Sequence, residues 1–166
     1  MPWDKKDKDQ VLLSVGALEA WIQSKKPDNQ FTYDKLWLRN YKSQAITILW
    51  TQSLGLLAVG CDSGMLDIIS VNVKTPAEYT EIYKEKVHTA RIMGIAMDST
   101  RKLVYTIGED RFLRCLDLEL LQVTSECKVS SHKLTSLKVN PEGQVAYIAD
   151  RKGQIHIYDL THVKNY

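Results

Sequence analysis

A chain of 166 residues is long enough to bury one sizeable core and too short to argue for several domains. With 44% hydrophobic and 25% charged residues it has the composition of an ordinary globular protein, and a net charge of +2 is too small to imply nucleic acid or an anionic membrane as its partner. No apolar run approaches the roughly 18–20 residues that span a bilayer, so no transmembrane segment is expected.

In chain order, residues 1–10, "MPWDKKDKDQ", are charged and no signal-type apolar segment follows them; they read as a solvated, mobile tail. "VLLSVG" at 11–16 reads as a strand. "ALEAWIQSKK" puts Leu18, Trp21 and Ile22 on one helical face, yet 18–23 also fits a strand. Short strand-like runs follow at 31–38, 45–50, 56–60, 65–71, 79–85, 92–98, 103–108, 112–118, 123–129, 134–139, 145–149 and 154–159. Gly, Asp, Asn, Pro and Ser punctuate them, as in Asp62-Ser63-Gly64, Asn140-Pro141-Glu142-Gly143 and Lys152-Gly153. The spacing predicts fourteen strands in an all-β, antiparallel fold. Cys61, Cys115 and Cys127 each sit inside such a run and read as reduced core thiols of a cytosolic protein.

The runs repeat. Gly16, Gly60 and Gly108 recur at 44 and 48 residues, and Asp110 and Asp150 at 40. Four strands per unit of about 40 to 45 residues is the pattern of a β-propeller. Each unit opens on one apolar spacing: Ala45-x-x-Ile48-x-Trp50, Ile92-x-x-Ile95-x-Met97, Leu134-x-x-Leu137-x-Val139. A central blade strand packs against neighbours on both faces, which makes such runs nearly continuous.

These residues resemble the WD-repeat family. "HTARIMGIAM" matches that family's His four residues before an inner strand, and "GEDRFLRCLD" matches its Asp turn and closing strand. The terminal Trp-Asp is replaced by Leu116-Asp117 and Tyr158-Asp159, and Tyr41 and Ser130 stand where two other units would carry the His. The order "GCDSG", "GEDR", "ADRKGQI" is similar to the first blades of WD-repeat proteins that carry a FYVE zinc finger. The resemblance implies a WD-repeat β-propeller over residues 11–166, of about three and a half four-stranded blades. It also implies a non-catalytic protein-interaction scaffold in endosomal trafficking or signalling, cytoplasmic or peripheral to endosomes. The alternative is a phosphoinositide or membrane-surface adaptor. No Cys-x-x-Cys or basic FYVE motif is present, so membrane association would have to come through another region.

The Gly108-Glu109-Asp110-Arg111 turn is where the resemblance places structure. An Asp in such a turn accepts backbone N–H bonds, and His88 reaching it adds about 1–3 kcal/mol. Asp62 and Asp150 are expected to make the turn bonds without a histidine. Chemistry is sparse: His88, His132, His156 and His162 lack metal spacing, and no serine lies in a nucleophile elbow. No cofactor, metal or catalytic group is expected. The loop ends gather Arg91, Arg111, Lys133, Arg151 and Lys152 with Glu109 on one rim, a face suited to proteins or acidic peptides. Three and a half blades leave a ring open. The expectation is closure by further chain or by a second copy, whose combined twenty-eight strands would equal a seven-bladed ring.

Overall fold

The computed structural model describes residues 10–13, 18–25, 31–72, 74–76 and 78–162. The expected tail lies outside these, apart from Gln10, which opens the first strand. Fourteen strands follow in order: β1 Gln10–Leu13, β2 Leu18–Lys25, β3 Phe31–Arg39, β4 Ala45–Thr51, β5 Leu56–Cys61, β6 Met65–Val71 and β7 Tyr79–Lys86. Then come β8 Ile92–Asp98, β9 Leu103–Gly108, β10 Phe112–Asp117, β11 Gln122–Lys128, β12 Leu134–Val139, β13 Val145–Asp150 and β14 Ile155–Asp159. No helix occurs among the described residues, and Leu18–Lys25 is a strand rather than an amphipathic helix. Paired against β3, its Leu18 to Lys25 ladder takes up the backbone bonds that a helix would have closed internally.

Four antiparallel meanders result. Sheet I is β1-β2-β3, sheet II β4-β5-β6-β7, sheet III β8-β9-β10-β11 and sheet IV β12-β13-β14. The first strands β4, β8 and β12 stand beside one another, and the sheets radiate from them as the blades of a partial propeller. Burial follows that radius. The second strands β5 and β9 are buried at every position, whereas the outermost, β7 and β11, carry mostly exposed polar side chains. Charged side chains on those edges discourage pairing with other chains.

One apolar cluster joins sheets II and III through Ala58, Leu66, Ile68, Ile92, Ile95, Val104 and Leu116. A second joins III and IV through Tyr105, Leu113, Cys115, Leu134, Leu137, Ala146 and Ile148. Arg101 ties III to IV at the rim of the β8–β9 turn. It donates to Asp98 Oδ2 at 2.6 Å, to the Leu160 carbonyl at 2.7 Å and to the carbonyl of Gly143.

Among the described residues the two end sheets each have three strands, so the fourteen strands divide as three, four, four and three. Two copies of the described residues would bring eight sheets, four of three strands and four of four. Sheet IV also shows a bare face. The ladders align Ile155 with Leu113 and Leu66, and Ile157 with Cys115 and Ile68. Ile155 and Ile157 are 71% and 66% exposed, while the four aligned residues are 6% or less. Covering such side chains would contribute about 1.5–3 kcal/mol each.

Candidate interaction rim and its hydrogen-bond anchors

The turn between β9 and β10 carries Asp110, and the segment between β7 and β8 carries His88; the two segments meet because the outer strand of sheet II must return to the inner strand of sheet III. His88 Nδ1 lies 2.9 Å from Asp110 Oδ1, and its Nε2 lies 2.9 Å from Thr106 Oγ1 on β9. Nδ1 also lies 2.7 Å from Arg114 Nη1, so the imidazole sits between the carboxylate and the guanidinium while Nε2 meets the threonine hydroxyl. The second carboxylate oxygen accepts from Thr89 N at 3.1 Å and from Arg114 Nη1 at 2.8 Å. Gly108 is required at its place: a Cβ there would stand 2.5 Å from His88 Nδ1 and 2.6 Å from Asp110 Oδ1.

The protonation states follow from these contacts. Burial pushes the Asp110 carboxyl up, but its bonds to His88 and Arg114 outweigh that and hold it down to about 2. Burial pushes the His88 imidazole below its ordinary range, and the nearby Asp110 only partly opposes it. At neutral pH the pair is a neutral imidazole on a carboxylate, and its bonds tie the β9–β10 turn to the loop that enters β8.

Sheet IV solves the same problem with other residues. Asp150 Oδ2 accepts from Ser130 Oγ at 2.7 Å and faces His156 Nε2 at 3.0 Å, while Oδ1 accepts from the backbone of Lys152 and Gln154. The hydrogen bond from His156, foremost, holds this carboxyl well below the usual range. A histidine therefore does serve Asp150, but from the strand rather than the loop. Asp62 differs again. Its backbone N–H bonds the Gln44 carbonyl at 2.9 Å, and no turn bond to its carboxylate is found among the described residues. The nearby buried acid is Asp67 on β6, which accepts from Arg39 Nε at 2.7 Å; Arg39 also pairs with Glu81.

Thr106, Arg114 and Asp67 were not singled out in the sequence, and Ser130 and His156 were noted there without this role, yet a signal existed. Asp67, Arg114 and His156 share one ladder column, opposite Val59, Thr106 and Ile148. Each is the lone polar residue in the middle of an apolar run.

On the rim above these turns, Glu109 gathers charge from two sheets. Its carboxylate accepts from Lys133 Nζ at 2.8 Å and from Arg151 Nη2 at 2.9 Å, and the Lys133 bond leads in holding it below the ordinary range. The Arg91 carbonyl accepts from Glu109 N at 2.8 Å, and Arg91 Nε is buried without a partner among the described residues. Arg111 is exposed and reaches the Ser131 carbonyl at 3.4 Å; Lys152 is exposed at the tip of the β13–β14 turn. Glu109, Lys133, Arg151 and Arg91 thus converge, and Arg111 and Lys152 flank them.

Among the described residues no group of three His, Cys, Asp or Glu is placed to hold a metal ion. All three cysteines are free; burial pushes each thiol up, that of Cys115 to about 11. No helix among the described residues is long and apolar enough to cross a membrane.

No family model and no curated protein matches this chain. Among solved structures, a chain in the crystal structure of the mitotic checkpoint complex is similar over 90% of this chain, with a TM-score of 0.68 at 14% identity. The match spans 44% of that chain, so this chain covers less than half of its length. That assembly contains a WD-repeat propeller. At this identity the likeness is one of fold: the chain has the fold of a WD-repeat type β-propeller, in part. The likeness does not extend to the FYVE-carrying subfamily.

Proposed function

We propose that this chain is a non-catalytic protein-interaction scaffold that takes acidic peptides on the rim joining sheets III and IV. The observation that carries this reading is the convergence of Lys133 and Arg151 on the single carboxylate of Glu109, with the Arg91 charge close enough to help hold it down and Arg111 and Lys152 flanking. Glu109 presets the cations, and an incoming carboxylate or phosphate competes for donors already in place. The charges stand on turns anchored by Asp110 and Asp150, so little ordering entropy is spent when a partner docks. Association with a second copy through the bare face of sheet IV belongs to the same reading. An endosomal setting rests on the order of the turn motifs alone.

The test uses a fluorescein-labelled decapeptide of alternating Glu and Ser, read by anisotropy. Lys133→Glu with Arg151→Glu should weaken binding at least tenfold, and Glu109→Gln should tighten it. Affinity should also fall steeply with added salt. Equal binding by all variants sinks the proposal. Binding to anionic vesicles that the peptide cannot displace would favour the membrane-surface adaptor instead.

A further inference from the structure

The two blade interfaces share one ladder register, and that exposes a substitution between them. In sheet II, Ile68 stands opposite Tyr83, with a bulge between Ile68 and Ile69. In sheet III, Cys115 stands opposite Ser125, with a bulge between Cys115 and Leu116. On the inner side, Ala58 pairs with Ile68 and Tyr105 with Cys115. Cys115 therefore occupies the place of Ile68, and Ser125 that of Tyr83. Tyr83 packs into the apolar cluster between sheets II and III. Between III and IV the corresponding phenol ring is missing, and a thiol replaces a larger branched chain.

A pocket of about 190 Å³, partly open to the surface, lies there, walled by Tyr105, Leu113, Cys115, Cys127, Tyr158 and Leu160, with Ser125, Glu126 and Asp159 also lining it. The Tyr105 ring takes up part of the room that Ala58 leaves in the other interface, but its hydroxyl turns to Arg101 Nη2 at 3.4 Å and the void persists. Apolar cavities of roughly 150 Å³ accept benzene-sized ligands. Two tyrosine rings and two thiols offer the ring-edge and sulfur contacts that favour an aromatic guest.

We propose that this cavity is a binding site for a phenol-sized aryl group, the tyrosine side chain of a protein partner. Tyr83 shows which group the chain itself seats at the corresponding place, and Ser125 leaves that place for an outside residue. The proposal rests on reading the chain as an interaction scaffold, to which it adds an apolar anchor separate from the charged rim.

The probes are p-cresol and N-acetyl-tyrosine amide, titrated into the full chain and followed by calorimetry. Saturable binding of both with a Kd of about 1 mM or tighter is expected. Ser125→Tyr fills the site and should abolish binding; Cys115→Ile, a smaller change that keeps the fold if the tyrosine does not fit, should weaken it at least tenfold. Lys133→Glu with Arg151→Glu should leave p-cresol binding intact, so a failed rim and a failed cavity are told apart. No saturable p-cresol binding, or binding unchanged in both filled variants, overturns the site. Binding of p-cresol without the tyrosine amide overturns the side-chain occupant.

Discussion

The β9–β10 and β13–β14 turns do the same work with exchanged parts. In both, an aspartate takes one donor from the loop entering the blade and another from the third strand. In sheet III the loop gives His88 and the strand Arg114; in sheet IV the loop gives Ser130 and the strand His156. The carboxylate and the two directions of approach are retained while the donors change. The histidines differ in burial: the His88 side chain is fully buried, whereas that of His156 is 24% exposed, while the carboxylates run the other way, Asp150 fully buried and Asp110 7% exposed. Losing a buried imidazole costs both its hydrogen bonds and its packing.

The largest expected effect comes from breaking the sealed turn. His88→Ala leaves Asp110 and Thr106 without their buried partner and opens a hole, at about 2–4 kcal/mol. Thermal unfolding followed by circular dichroism should show a drop of several degrees. Ser130→Ala removes one small donor and leaves Asp150 its bonds from His156, Lys152 and Gln154, so it should lower the midpoint less. A Ser130→Ala drop equal to or larger than that of His88→Ala would overturn the claim that the buried imidazole is the costlier donor to lose.

Acid should distinguish them next. The folded Asp110 titrates near 2 against an ordinary 3.8. Its contribution of about 2 kcal/mol is therefore present above pH 3.8 and lost as pH falls toward 2. Asp150, also held low, acts in the same direction. His88 adds an earlier loss: its folded pKa lies below 6.5, so the unfolded chain takes up that proton first and stability declines as pH falls from about 6.5. Urea denaturation between pH 8 and pH 2 should show both declines, and His88→Gln should remove the upper one and, by taking away a bond that holds Asp110 down, shrink the lower one. A His88→Gln profile that keeps the upper decline assigns it to another group.

Much of this architecture was legible because its determinants are local. Apolar runs of five to seven residues and Gly/Asp turns gave the strands and their antiparallel pairing. What escaped notice was long-range. Asp62 looked like its counterparts, but in sheet II the buried acid moved to Asp67, and its cation comes from Arg39, 28 residues earlier. No local spacing announces that pairing. How strands divide among sheets was hidden for a related reason, since a strand total does not reveal it. The cavity was equally hidden: Ser125 becomes conspicuous only once the ladder sets it beside Tyr83.

The smallest effect concerns the tip of the same turn. Gly64 and Gly153 occupy left-handed backbone, with φ of 85° and 79°, two residues before the aligned Leu66 and Ile155 of the third strand. Sheet III puts Arg111 there, at φ 77°. A side chain in that conformation costs about 1 kcal/mol that glycine avoids. Against this stands one long, exposed bond from Arg111 Nη1 to the Ser131 carbonyl, worth little in water. Arg111→Gly should therefore raise the melting midpoint by about 1–4 °C. It should also weaken acidic-peptide binding, because it removes a rim cation. Stabilisation with unchanged binding would leave Arg111 outside the docking face; a lower midpoint would mean that its bond to Ser131 holds the two sheets together more firmly than its exposure implies.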